Sequence, residues 1–435
     1  MTDFRFSFDW EDPKGAQGDE LRASWARLSV QVDGEPVCEH FDLHARSVKD
    51  CVAGPLYPVA EWLAIHWWHL FHEIEAPRGD RLASYSERHS LSRAGEGFAL
   101  PHLTLSPLGR FAAVRWDAIE MSEAQVRFLR SGESLVETDA LRAEIARLIG
   151  AVLERLDTEG ITDTYLHNEW AAIASADAEE SAFCRAAAAL GLDPFNVSSR
   201  RGKEIIETSE TVPDSVLDDY LAVAPLRQFR ATTQKLKGTL DDLAGRTGTL
   251  PSLQKLREKR RTIRPTAMPW DEGYTWARSL RQELGLNGTV FQSIEDIAKP
   301  LKVSNAQLRD MVLEPVGLDF ADALVSLNRQ DSPRFVVEKR HESSRLFTFC
   351  RALFDYVSAE RRLPALVVDT HTEQQRKNRA FAAEFLAPAR LIRQSIRRRT
   401  VGGEEIHDIA DEFGVSDFVV KHQIENHDLA SVVGA

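Results

Sequence analysis

The chain is poor in cysteine and methionine, four of each in 435 residues. Cys38, Cys51, Cys184 and Cys350 are scattered, with no C-x-x-C pair. That excludes a dense disulfide framework and a cysteine-based zinc site, and fits a reducing, cytoplasmic setting. Each cysteine reads best as a small buried apolar residue. No apolar run is long enough to span a bilayer, which needs about 18 residues. The opening MTDFRFSFDWED places acids where a signal peptide needs a basic head, so no secretory leader is expected. Positive charge is also in deficit, 54 Lys+Arg against 67 Asp+Glu, net −13. A blanket affinity for nucleic acid or anionic membrane is not expected from such a chain. The G-x-S-x-G, G-x-x-x-x-G-K-[ST] and G-x-G-x-x-G signatures do not occur.

What is present is ordinary globular composition, with 43% hydrophobic and 28% charged residues, enough for two or three domains. Phe4, Phe6, Phe8 and Trp10 alternate as in a half-buried strand. Leu28, Val30 and Val32 alternate into Asp33-Gly34, a hairpin signal, followed by Val37. Residues 111 to 116 form another strand candidate. Between these lies PLYPVAEWLAIHWWHLFHEIE, residues 55 to 75, with Leu63, Trp67 and Leu70 on one helical face. The first segment, 1–130, thus reads as a small sheet packed on a helix.

From 131 to 265 the periodicity is helical. Thr138-Asp139 can cap a long helix, and Gly191 and Pro194 end an alanine-rich one. The basic run Lys255, Arg257, Lys259, Arg260, Arg261 and Arg264, then Pro265, marks a composition shift and the best domain boundary. Segment 266–435 orders as helices, two short strands around RQDSP, then further helices. The expected class is α+β, predominantly helical.

Three blocks of the last segment carry chemistry: RLFTFCRALFDYV, NRAFAAEFLAPARLI and IADEFGVSDFVVKHQIEN, preceded by WDEGYTWARSLRQELGL. Over about 165 residues this pattern resembles the ImmA/IrrE family of zinc metallopeptidases, most specifically in FAAEFLAP. The resemblance implies a zincin-like domain whose first helix bears H-E-x-x-H. Two histidines on one helical face bind zinc, and the glutamate activates the bound water. A further glutamate on the second helix completes the ligands. Carried onto this chain, the histidine positions fall on Arg351 and Asp355, the general base on Ala352 and the third ligand on Gln375. Arginine stays protonated and has no lone pair to give, and alanine takes no proton. The resemblance therefore implies the peptidase fold without its zinc chemistry: no catalytic residue, no metal and no cofactor. Arg351 and Asp355 stand at i and i+4, the spacing of a helical salt bridge, either exposed or facing the cleft.

Members of that family regulate repressors in stress responses, mobile elements or phage defence, so the implied role is a cytoplasmic regulatory or protein-binding one. Trp62, Trp67, Trp68, His69 and His72 form a candidate partner surface, although a cluster of this kind also suits a satisfied core. Two alternatives stand beside it. An active zinc endopeptidase would need other ligands, for which His341-Glu342, His371 and Glu373 are at hand. A nucleic-acid reader would use the helix-turn-helix spacing of Ala410, Gly414 and Val420, with Arg397, Arg398, Arg399, Lys421 and Gln423 as contacts. The acidic Asp408, Asp411 and Glu412 weigh against that use. Cys350 near His341 could be imagined as a nucleophile, but its face with Leu346, Leu353 and Val357 reads as core.

Overall fold

The computed structural model describes residues 3–12, 18–75, 81–121, 125–258, 268–358 and 363–433. It is mixed α+β, 53% helical, with small antiparallel sheets in the N-terminal part. Contacts divide the chain once, into 1–205 and 206–435. The break expected near 130 falls inside the first unit, where strand Gly132–Glu137 runs straight into helix Thr138–Thr158. The break expected at 265 falls inside the second, at residues outside the described set.

The first unit has three small sheets where the sequence suggested one. In the first, Phe4–Trp10 pairs antiparallel with Trp25–Val32, Phe6 opposite Val30. The predicted hairpin follows, with Asp33 at φ 54° and Gly34 at φ 80°, the left-handed pair that a tight two-residue turn requires. Alternation buries Phe4, Phe6, Leu28, Val30 and Val32. Helix Thr138–Thr158 lays Leu141, Ile145, Leu148, Ile149, Val152 and Leu156 into the same core. Full burial of each such side chain is worth roughly 1.5–3 kcal/mol. Its N-cap is Glu137, with no side-chain cap bond, one residue before the expected Thr138. The helix expected over 55–75 breaks at His66 into Tyr57–Ile65 and Trp67–His72.

The second unit is built on a four-stranded sheet. Its order is Val312–Leu313, Pro333–Val337, Ala323–Leu327, Ala365–Val367, with only the first pair parallel. Helices Glu342–Val357 and Glu373–Leu386 pack beside it through Phe335, Phe349, Phe354, Phe381 and Phe385, all fully buried. The rings of Phe354 and Phe381 lie 5.0 Å apart, and those of Phe381 and Phe385 5.4 Å. Helix Pro269–Glu283 crosses Glu373–Leu386 at Gly273, where a Cβ would stand 2.4 Å from the Lys377 carbonyl oxygen. Only glycine allows that approach.

Candidate functional site: a buried arginine between two helices

Arg351 lies on the inward face of helix Glu342–Val357 and is 4% exposed. Its Nη1 donates to Asp322 Oδ2 at 2.9 Å, and its Nη2 to Gln375 Oε1 at 2.9 Å and to the Val368 carbonyl at 2.7 Å. Asp322 stands just before strand Ala323–Leu327, so the strand fixes its place. Its other oxygen takes Lys339 Nζ at 2.7 Å. Gln375 is held in turn: its Nε2 donates to the Leu366 carbonyl at 2.9 Å, and its backbone N–H to Thr372 Oγ1 at 3.2 Å. A buried cation is tolerable only with such partners, because losing its hydration costs several kcal/mol. Arg351 Nε alone lacks a bond.

Asp355, one turn on, is fully buried. It accepts from Gln374 Nε2 at 2.8 Å and Asn378 Nδ2 at 2.9 Å, both on helix Glu373–Leu386. The i,i+4 pair suggested by the sequence is thus not what forms, since Arg351 binds Asp322 and Gln375. Arg379 sits nearby and donates to the Thr370 carbonyl at 2.6 Å and Asp369 at 3.1 Å. Burial, and then the like charge of Arg351, lower its guanidinium pKa to about 10.

The positions 351 and 375, and 355 with 374 and 378, therefore meet along one seam. Ala352 is buried beside them. The donor set does not suit a metal: a guanidinium, an amide already bonded and one carboxylate. Among the described residues, no three His, Cys, Asp or Glu side chains are grouped to hold an ion. His341 and His371 are exposed, and Cys350 is fully buried with its thiol pKa pushed up by burial, a core residue. What the seam can do chemically is hold two helices and a sheet in one register by paired charges.

The tryptophan surface is corrected. Trp62, Trp67, Trp68 and His69 are buried in the core of the first unit and His72 is half-buried, because the helix break at His66 turns both halves inward. They gather around a polar nest. His69 Nε2 bonds the Leu192 carbonyl at 3.1 Å, while the Nδ1 atoms of His66 and His69 are buried without partners. Burial depresses the pKa of His66 to about 3, of His69 to about 4 and of His72 to about 3. Burial alone would raise Glu73, but hydrogen bonds from Arg88 and His89 outweigh it and bring it to about 2.

The helix-turn-helix spacing is realised by Gly403–Phe413 and Asp417–Asn426, with Gly414 left-handed at φ 63°. Gln423 is corrected as a contact: it is 1% exposed and donates to Glu384 Oε2 at 3.0 Å and the Ala387 carbonyl at 2.9 Å. Arg397, Arg398 and Arg399 are exposed and Lys421 half-buried. Asp417, at the start of the second helix, takes His407 Nδ1 at 3.1 Å.

Sequence reasoning missed Asp322, Asn378 and Arg379. Asn378 was findable, three residues beyond Gln375 on the same helix. Asp322 lies 29 residues from Arg351, and nothing local marks it as its partner. No family model matches the chain, and neither curated proteins nor solved structures provide a match.

Proposed function

We propose that the second unit is a zincin-like domain of ImmA/IrrE type from which the metal chemistry has been lost. On this reading the protein is a non-catalytic regulatory or partner-binding member of a bacterial stress, mobile-element or phage-defence system, acting in the cytoplasm. One observation carries the proposal. The positions that the resemblance assigns to a first-helix ligand and to the second-helix ligand, Arg351 and Gln375, touch at 2.9 Å. Two positions that share a metal in an active relative would be neighbours in this way, and here a guanidinium fills the space between them. Its fixed positive charge meets Asp322 and Gln375 as a metal ion would meet its ligands, but it activates no water.

The test restores what was lost. Arg351→His, Asp355→His and Gln375→Glu together rebuild the three ligands, and Ala352→Glu rebuilds the base. The wild-type protein is expected to carry no stoichiometric zinc after dialysis and to cleave no peptide. The four-site variant is expected to take up one zinc per chain, read by elemental analysis. A folded variant that binds none counts against the zincin geometry. A wild-type chain with one tightly held zinc and peptidase activity overturns the proposal in favour of an active endopeptidase. The nucleic-acid alternative loses Gln423 and keeps the exposed Arg397–Arg399 run and the half-buried Lys421.

A further inference from the structure

One sheet of the first unit has an unusual outer face and an unusual edge. Its strands run in the order Ser47–Lys49, His40–Asp42, Val126–Phe128, Glu120–Met121. The pairing sets Phe41 opposite Val48 on one side and opposite Arg127 on the other. Alternation turns His40, Val126 and Phe128 inward, where they are buried. It turns Phe41, Leu43, Val48 and Leu129 outward. Leu43 is 36% exposed, Val48 57% and Leu129 39%. An outward face of an antiparallel sheet is ordinarily polar.

The edge strand Ser47–Lys49 has no strand on its other side among the described residues, and all three of its residues are exposed. The direction of its free groups follows from the ladder. Leu43 N donates to Gln125 O and Leu129 N to Glu39 O, so the pairs 43–125, 41–127 and 39–129 are the hydrogen-bonded ones. Phe41 therefore spends its N–H and C=O on Arg127. The next strand is held through Asp42–Ser47 and His40–Lys49. Val48 is left with both its N–H and its C=O aimed out of the sheet.

We infer that this edge takes the same strand of a second copy of the chain, antiparallel and centred on Val48. Such a two-fold pairing gives reciprocal Val48–Val48 backbone bonds and extends two four-stranded sheets into one of eight strands. The flanking charges are self-complementary. Arg46 comes opposite Asp50 of the second copy, and Asp50 opposite its Arg46. Both residues are exposed, and neither holds an ion-pair partner among the described residues. Lys49, which would otherwise guard the edge, is bonded to Asp42 at 2.6 Å. The left-handed backbone of Arg46, φ 51°, ends the ladder there and keeps the contact short.

The experiment is sedimentation equilibrium of the full chain over a wide concentration range. The wild type is expected to associate reversibly to a dimer. Val48→Pro removes the outward N–H and no bond within the chain, so it is expected to fold as the wild type and to sediment as a monomer. Arg46→Asp sets four acids across the two-fold and is expected to raise the dimer dissociation constant about tenfold or more. Combining Arg46→Asp with Asp50→Arg restores opposite charges and is expected to restore the dimer. A wild type that stays monomeric throughout overturns the inference. So does a dimer untouched by Val48→Pro, which would place the contact elsewhere. Failure of the double swap to recover, in a protein with native circular dichroism, overturns the antiparallel two-fold. Capture of a foreign edge strand without self-association overturns the choice of a second copy.

Discussion

Both units bury a charge with its partner, Glu73 with Arg88 in the first and Arg351 with Asp322 in the second. Only the first adds a cluster of three neighbouring histidines held neutral by burial. The second unit keeps Arg351 and Asp355 dry among partners: a carboxylate, amides and a backbone carbonyl. The first keeps His66, His69 and His72 in an aromatic nest, with two ring nitrogens unpaired. A buried charge is held by its partners, so its energy is lost when a partner is cut. A buried imidazole is held by being neutral, so its energy is lost when a proton is offered. The difference makes the first unit the more sensitive to acid.

Acid gives the largest expected effect. The folded pKa values of the three histidines lie at about 3 to 4, below the ordinary 6.5. Between those limits the unfolded chain binds protons that the folded unit does not. Stability is therefore full above about pH 6.5 and falls as pH drops toward the folded values. Each histidine contributes to that loss, by up to about 1 kcal/mol per pH unit where it is fully buried. Urea unfolding at pH 7, 6 and 5 should show a first-unit transition moving to lower urea well ahead of the second. His69→Gln should flatten that slope by about a third. Loss of the second unit first would show that the three histidines do not govern the acid response.

Arg351→Ala comes next. It leaves Gln375 Oε1 and the Val368 carbonyl without their shared donor and Asp322 with Lys339 alone, and should cost about 2–4 kcal/mol in the second unit. Arg351→Lys keeps the charge but cannot reach all three acceptors at once, and should recover only part of the loss. A cost near zero would reduce Arg351 to the level of an exposed ion pair. Chemical denaturation of the full chain reads both variants.

Gly273→Ala is a control within the second unit, because it touches packing and no charge. The added Cβ would meet the Lys377 carbonyl oxygen at 2.4 Å, and overpacking of this kind costs about 1–3 kcal/mol. The gain in helix propensity, about 1 kcal/mol, offsets part of it. The smallest effect is expected at Asp177, whose side chain caps helix Ala178–Ala189 through the N–H groups of Glu179 and Glu180, each 2.9 Å away. Asp177→Ala should lower first-unit stability by about 1 kcal/mol, and equally at pH 7 and pH 6. A pH-dependent cost there would show that the acid response is not confined to the histidine nest.

Local periodicity made much of this legible. The strand at Phe4–Trp10, the Asp33-Gly34 hairpin, the strand pair around RQDSP and the helices bearing Arg351 and Gln375 all stand where alternation or 3.6-residue spacing puts them. The strand Ala365–Val367 was not legible, because three apolar residues carry no period. Arg334 was missed for another reason. It is fully buried, with partners at Thr247, Gly248 and Asp310, all 24 or more residues away in sequence. Burial of a charge depends on long-range partners, which a window of a few residues does not contain.

The residue types along helix Glu342–Val357 are a property of the sequence alone. Arginine at 351 and alanine at 352 limit the chemistry of that helix however it folds, because one offers no lone pair and the other no base. The alternation that leaves Phe41 and Val48 on one face of their strands is likewise a property of the sequence. The pairings come from long-range packing. It gave Arg351 to Asp322 and Gln375 rather than to Asp355. It turned Trp62, Trp67 and Trp68 from a candidate surface into core, and it buried Gln423 against Glu384. The physical reason is the same in each case. A side chain's chemistry is a local property, whereas its exposure and its partner are set by whatever the rest of the chain packs against it.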